Sequence, residues 1–279
     1  MQQKFDLTEV HAANLKMLKE IDRICRKYRI RYFLDAGTLL GAIRHKGFIP
    51  WDDDVDIAMP RRDYERFLRI AKDELPEGID LLRPEDFRGG TAFYDFTARL
   101  IYQNSRRYPD NEEMRFYEGK LNHLWIDIFT MDRIPDNPVL DRLSRLSQKI
   151  VYGLAMGHRR ELDYSKYSAA DRIRVKILAG IGKRIPMKMI FGLQRRAASF
   201  WNFRKKTRHL YFTNYAPDWM YCTAESSWFR ESVDVPFEDT VLSVAAGYEP
   251  MLRQLYGDYR KLPPEEKRVP EHSDFTFWE

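Results

Sequence analysis

Four carboxylates stand within five residues, at Asp52, Asp53, Asp54 and Asp56, inside the otherwise apolar run from Phe48 to Ile57. Like charges this close oppose folding unless something positive sits among them. Val55 and Ile57 predict a strand, on which alternate side chains share a face. Asp54 and Asp56 then point the same way, joined by Asp52 if the strand begins early. Such a face suits one or two Mg²⁺ ions, with Mn²⁺ as an alternative. Mg²⁺ prefers carboxylate oxygen and does not require a full protein cage. The competing reading is a polar turn entering a strand.

Trp125-Ile126-Asp127-Ile128-Phe129 is a second apolar strand interrupted by one carboxylate, with Asp132 close behind. A lone Asp in such a strand is costly unless paired or metal-bound. Asp127 is therefore the candidate third carboxylate beside Asp54 and Asp56; a salt-bridged residue at the core edge is the alternative. Arg99 falls on the polar side of an alternating run, Phe93 to Ile101. Its rigid fork of donors could grip a phosphate, or it could be a solvated strand arginine. Asp35 to Arg44 reads as a turn entering a short helix. Gly37 there could let the backbone approach a phosphate, with Thr38 and the helix-start amides as donors. An ordinary strand-to-helix turn explains the same residues.

The elements that must position these groups are legible in outline. Val10, Leu15, Leu18, Ile21 and Ile24 predict an amphipathic helix from about Leu7 to Tyr28. Tyr32 to Leu34 is a short strand, and a helix follows from Arg62 to about Asp73, broken by Pro76 and Gly78. Ile79 to Leu82, Phe93 to Ile101 and Ser232 to Val235 are further strands. Pro236-Phe237-Glu238 begins a loop. Tyr248 to Tyr256 is a helix closed by Gly257.

The 279 residues, 44% apolar, are enough for one large domain or a domain plus a lobe. Cys25 and Cys222 are far apart in sequence, which gives no disulfide framework and fits a reducing compartment. The start, Met1 to Asp6, lacks the apolar stretch of a signal peptide, and no run of 18 uncharged apolar residues predicts a membrane span. The six histidines are scattered and form no tight zinc pattern with the cysteines.

Arg172 to Arg208 holds twelve Lys or Arg and no Asp or Glu; without it the net charge falls from +5 to −7. The cations, among them Lys183, Arg184, Lys188, Arg195, Arg196, Lys205 and Lys206, are interleaved with large apolar residues. This composition fits an interfacial segment drawn to anionic lipid, or a phosphate-rich polymer. No nucleic-acid module accompanies it, so nucleic acid is not the expected partner. A helical lobe with a solvated basic face is the plain alternative. Pro186 and Gly192 are expected to divide the segment into more than one helix.

Taken together, these motifs resemble the LicD-type phosphotransferases, relatives of the fukutin-related proteins. Phe33 to Ile57, read through Asp35-Ala36-Gly37-Thr38-Leu39-Leu40-Gly41 and Trp51-Asp52-Asp53-Asp54-Val55-Asp56, is similar to the family's principal signature almost residue for residue. Trp125 to Phe129, Val235-Pro236-Phe237-Glu238, and Tyr256-Gly257-Asp258-Tyr259 with Leu262-Pro263-Pro264 and His272 resemble its later motifs. The resemblance runs from about residue 25 to 275 and specifies the basic segment least. Two departures are Arg99, where members often carry Lys, and Phe129-Thr130-Met131-Asp132 in place of Phe-Pro-Leu-Asp.

The resemblance implies an α/β (α+β) nucleotidyltransferase-like fold. A mixed sheet is flanked by helices, with a basic helical insertion at about 140–210 inside a single catalytic domain. It implies Asp54 and Asp56 as paired metal ligands, Asp127 as third carboxylate and base, and Asp52 and Asp53 as supports or additional ligands. Gly37 and Thr38 would open a phosphate-facing helix, with Arg44, His45, Lys46 and Arg99 as further phosphate contacts. Glu238 and His272 would shape the acceptor or nucleotide pocket. The implied reaction moves a substituted phosphate, commonly phosphocholine from CDP-choline, to a sugar hydroxyl of a glycan precursor. Lipopolysaccharide, teichoic acid and capsule are such glycans, and the enzyme would work at the inner face of a bacterial membrane. Transfer of NMP by a true nucleotidyltransferase and a non-catalytic glycan or lipid adaptor are the alternatives.

Overall fold

Val10, Leu18, Ile21 and Ile24 lie on one stripe of a 3.6-residue repeat, and α1 (Thr8–Tyr28) buries that stripe in the main core. Each such side chain contributes roughly 2 kcal/mol on burial. Arg29, at φ 53°, ends the helix in the left-handed region. The computed structural model describes residues 6–204, 207–217, 222–270 and 275–278.

After α1 come β1 (Phe33–Leu34), α2 (Ala36–Arg44), β2 (Val55–Pro60), α3 (Arg61–Glu74), β3 (Ile79–Leu82), β4 (Ala98–Tyr102), β5 (Ser105–Arg106), α4 (Glu112–Phe116) and β6 (Leu124–Arg133). Three helices follow, α5 (Pro138–Ala155), α6 (Ala169–Gly182) and α7 (Met187–Ser199). The chain then returns through β7 (His209–Phe212), β8 (Thr223–Glu225), β9 (Ser232–Phe237), β10 (Thr240–Ala245), α8 (Tyr248–Tyr256) and β11 (Thr276–Phe277).

The main sheet runs β1-β2-β6-β4-β3, with β7 and β8 extending from the far end of β6. Among the described residues only β2 and β6 pair in parallel; β1, β4 and β7 join antiparallel. The two parallel strands sit in the middle, which is why their apolar runs are nearly continuous. The chain thus adopts the expected architecture, a mixed sheet flanked by helices.

Three expectations need correction. The strand expected from Phe93 begins only at Ala98. Phe93 and Phe96 instead pack into a separate apolar cluster with Val151, Ala155 and Ile190 of α5 and α7. Between them Asp95 accepts from the Thr97 backbone N–H, a local turn that competes with strand pairing. Arg99 does project on the polar side, in register with Asp127, but it is buried rather than solvated. Gly192 does not divide the basic segment: it lies inside α7, and the break falls between Gly182 and Pro186. Pro236 and Phe237 do not begin a loop but complete β9, where Pro236 faces Val241 in a two-stranded ribbon that tolerates the missing N–H.

Candidate active site

β2 and β6 place the site by register. Asp56 on β2 is the direct partner of Asp127 on β6, and Asp127 is in turn the partner of Arg99 on β4. Side chains of register partners project to the same face of a sheet. One row across three strands therefore reads carboxylate, carboxylate, guanidinium.

Asp56 is the most strained electrostatically. Burial pushes its carboxyl well above the usual range, and Asp127, Asp35, Asp54 and Asp52 push it further. Burial likewise raises Asp127 to about 6, against the opposing pull of Arg99. Asp35 ends β1, donates its N–H to the Asp56 carbonyl at 3.0 Å, and is raised to about 6 by burial. Asp54 lies just before β2. Its tip is open to solvent, yet the protein packed around it and neighbouring Asp53 raise it to about 6. Tyr215 and Tyr256 flank the group: burial and these same carboxylates raise both phenols.

Arg99 is the counter-charge. Its Nη1 and Nη2 fork onto the Asp95 carboxylate at 3.0 and 2.5 Å. Its Nε stands 2.9 Å from Asp127 Oδ1, a close ion pair whose alignment falls short of a hydrogen bond. Burial opposes the charge on Arg99, but Asp127 and Asp95 outweigh it and keep the guanidinium protonated. Trp125 Nε1 donates to Asp127 Oδ2 at 3.2 Å. Arg99 is thus a positioning residue for Asp127, not the phosphate grip its strand position predicted.

The other predicted residues separate into those at this row and those away from it. Gly37 is beside it: a Cβ there would come within 2.4 Å of Asp52 Oδ2, so Asp52 closes over the start of α2 only because no side chain intervenes. Thr38 is buried, and its Oγ1 accepts from the Asp56 N–H at 2.9 Å. It ties α2 to β2 rather than facing a phosphate. Asp53 is buried and its carbonyl accepts from Asn14. Arg44 donates to the carbonyls of Tyr259 and Lys261 and to the His45 ring, committing it to the C-terminal segment. His45 packs edge-on to Trp51, and burial lowers its pKa. Lys46 is exposed, at φ 60°.

Glu238 is a clamp, not a pocket residue. Its Oε1 accepts from the Phe48 N–H at 2.9 Å, and its own N–H donates to the Lys46 carbonyl at 2.8 Å. Gly47 has no room for a Cβ beside it. His272, Lys205 and Lys206 lie outside the described residues.

Arg107 was missed. It follows β5, and its charge acts to lower the Asp54 carboxyl. Its guanidinium lies 5.9 Å from the ring of Trp125, whose Nε1 donates to Asp127. The Arg106-Arg107 pair was the available signal, but nothing local says that the residue after β5 comes within electrostatic range of Asp54.

Two buried carboxylate oxygens, Asp127 Oδ1 and Asp35 Oδ1, accept no hydrogen bond. Asp127 Oδ1 has the Arg99 guanidinium beside it, whereas Asp35 Oδ1 has no such partner among the described residues and is costly to bury without a cation. Among the described residues, however, no three His, Cys, Asp or Glu side chains converge tightly enough to enclose a metal. The expected triad of Asp54, Asp56 and Asp127 is therefore not a closed cage. Asp56 and Asp127 form an adjacent pair with Asp54 in electrostatic range, which fits Mg²⁺, an ion that commonly takes one or two carboxylates and completes its shell with water and substrate phosphate. A cleft of about 630 Å³ lined by Arg61, Arg69, Arg83, Lys188, Arg195 and Asn214 lies toward the other end of β2. Its lining carboxylates are Glu65 on α3 and Glu85 in the turn after β3.

The model of the LicD/FKTN/FKRP nucleotidyltransferase domain matches residues 29–144, which contain the whole row. The lipopolysaccharide cholinephosphotransferase LicD of Haemophilus influenzae is 30% identical over 279 residues, covering 96% of this chain and 97% of that protein. The chain belongs to the LicD family. A more distant member, the human ribitol 5-phosphate transferase FKRP, is 27% identical over 113 residues, 40% of this chain and 19% of that protein. The LicD domain match ends inside α5, so α6 and α7 fall beyond it.

Proposed function

We propose that this LicD-family chain transfers a substituted phosphate, phosphocholine first among candidates, from a CDP-activated alcohol to a sugar hydroxyl of a cell-surface glycan precursor, releasing CMP. Family membership makes the chain a phosphotransferase. The name of the Haemophilus relative supports choline and lipopolysaccharide; that of FKRP supports ribitol phosphate as the competing cargo. The observation that carries the reading is the register pairing of Asp56 with Asp127, both carboxyls raised and one anchored by Arg99.

Asp56 and Asp127 would hold Mg²⁺, with Asp54 and Asp52 at its margin; Mn²⁺ would serve the same ligands. When bound, the ion would neutralise charge on the donor diphosphate. The acceptor oxygen forms a bond to the phosphorus that carries the alcohol. The bond from that phosphorus to the oxygen bridging to CMP breaks, and CMP leaves with the electron pair. The acceptor proton passes to a carboxylate. Asp127, held in place by Arg99, would take it. Arg107 would meet the donor phosphates, since Arg44 and Arg99 are committed elsewhere. A lipid-linked or polymeric glycan at the inner face of the membrane would be the acceptor, with the enzyme peripheral to it.

The test is a panel of CDP-choline, CDP-ribitol, CDP-glycerol and CDP-ethanolamine with a lipid-glycan extract, scored for metal-dependent CMP release. Pyrophosphate release from an NTP instead would establish nucleotidyl transfer. Glycan binding without any turnover would establish an adaptor.

A further inference from the structure

The cations expected at a membrane do not share one surface. Arg195 pairs with Glu65 of α3 at 2.9 Å, and both Arg195 and Lys188 face the cleft beside Arg61. The opposite side of α7 is different. There Leu193, Arg196, Phe200 and Trp201 meet Leu140 and Leu143 of α5 in one shallow groove with no acidic lining residue.

Large apolar side chains stand in water along this face. Leu143 is 56% exposed, Phe200 61% and Phe203 65%. Val139, Leu146 and Ile150 continue an exposed row on α5. Scattered exposed apolar residues need no explanation, but helices that present such rows beside a lined groove mark a contact surface. Arg196 sits in the groove, and Arg204 stacks 5.9 and 5.6 Å from the Trp201 and Phe203 rings. Aromatic rings beside arginines suit the boundary between headgroups and acyl chains.

We propose that the α5–α7 face docks on an anionic lipid bilayer, with Leu143, Phe200 and Phe203 entering the headgroup boundary and Arg196 and Arg204 meeting lipid phosphate. Charge selects this occupant. Residues 172–208 carry twelve cations and no acid, whereas the rest of the chain is net −7. Arg196 and Arg204 stand at this groove and no acid lines it, so an anionic surface attracts this face. A second copy seated here would bring like charges together. No helix among the described residues is long and apolar enough to cross a membrane, so contact would be interfacial. The proposal rests on the preceding reading only for its purpose, a membrane-borne acceptor; binding is measured with no donor or acceptor present.

The test is flotation of the full chain with vesicles of phosphatidylglycerol and phosphatidylethanolamine, against vesicles of phosphatidylcholine alone. The wild type should float with the anionic vesicles and lose binding as salt rises. Leu143→Ser with Phe200→Ser should weaken anionic-vesicle binding by roughly tenfold. Arg196→Glu with Arg204→Glu should abolish the preference for anionic lipid. Both pairs should retain wild-type circular dichroism and CMP release with a short, lipid-free acceptor. Failure of the wild type to float, or full binding by both variants, overturns the proposal. So does a dimer in light scattering that Leu143→Ser with Phe200→Ser dissociates without affecting flotation. Loss of CMP release with flotation intact would instead count against the catalytic reading alone.

Discussion

Asp56 and Asp127 are register partners on the two parallel strands of the sheet, so two carboxylates share one face at neighbouring-strand spacing. The pairing costs stability, because burial and neighbouring carboxylates disfavour both charges more than Arg99 favours that of Asp127.

Removing one charge should therefore stabilise the protein while ending its chemistry. Asp56→Asn is expected to raise the melting temperature of metal-free protein at pH 7 by several degrees and to lower turnover by 10²-fold or more. The sign follows from linkage. Raised carboxyls make the folded wild type bind extra protons, so its stability falls as pH rises from the unfolded value near 4 through the folded value. The gap in melting temperature between variant and wild type should shrink when the pH is lowered from 7 to 5.

A divalent ion should act on the same balance. Mg²⁺ at millimolar concentration is expected to raise the melting temperature of the wild type at pH 7, by binding only the folded form. Asp56→Asn and Asp127→Asn should show little of this rise. An equal Mg²⁺ response in all three proteins would place the ion elsewhere.

Arg99 holds Asp127 from one side and Asp95 from the other. Arg99→Met should cost about 3–5 kcal/mol by leaving two carboxylates without their partner. In Arg99→Lys, which keeps one charge but not the fork, the acidic limb of the pH–rate profile should move upward, because the charge opposing Asp127 protonation is less well placed. Denaturant melts and a pH profile of kcat check the two effects separately.

Arg107 and Glu238 make a contrasting pair. Arg107→Ala should raise KM for the CDP donor by roughly tenfold, the loss of one charged contact, with little change in stability. Glu238→Ala should do the reverse, unfolding at lower denaturant by about 1–3 kcal/mol while KM for donor and acceptor stays unchanged. Glu238→Gln keeps an oxygen for the Phe48 N–H and should recover most of the stability. A donor KM unaffected in Arg107→Ala would remove that residue from the site.

The acidic row was largely legible in the sequence because each Asp interrupts an apolar strand, and such a residue must find a partner. That logic located Asp56 and Asp127 before their strands could be known to be neighbours. Periodicity also gave α1, α3 and α8 within a residue or two. It failed at Phe93 to Thr97, where alternation came from two aromatics packing on distant helices. Glu238 and Arg44 misled for a related reason: their partners lie some 190 and 215 positions away, and no local pattern records such contacts. The exposed face of α5 carries no signal in the basic run, which begins at Arg172, after that helix has ended.

The loop before β4 ties the sheet to the helices. Asp95 anchors Arg99, yet the rings on either side of it belong to the helical cluster: Phe93 meets Tyr152, and Phe96 meets Phe191. Trimming the chain down to its sheet would leave that loop unmoored and the Arg99 fork without its outer support. The helices between β6 and β7 are thus a buttress for Asp127 as well as a separate surface, and a minimal version of this enzyme has to keep them.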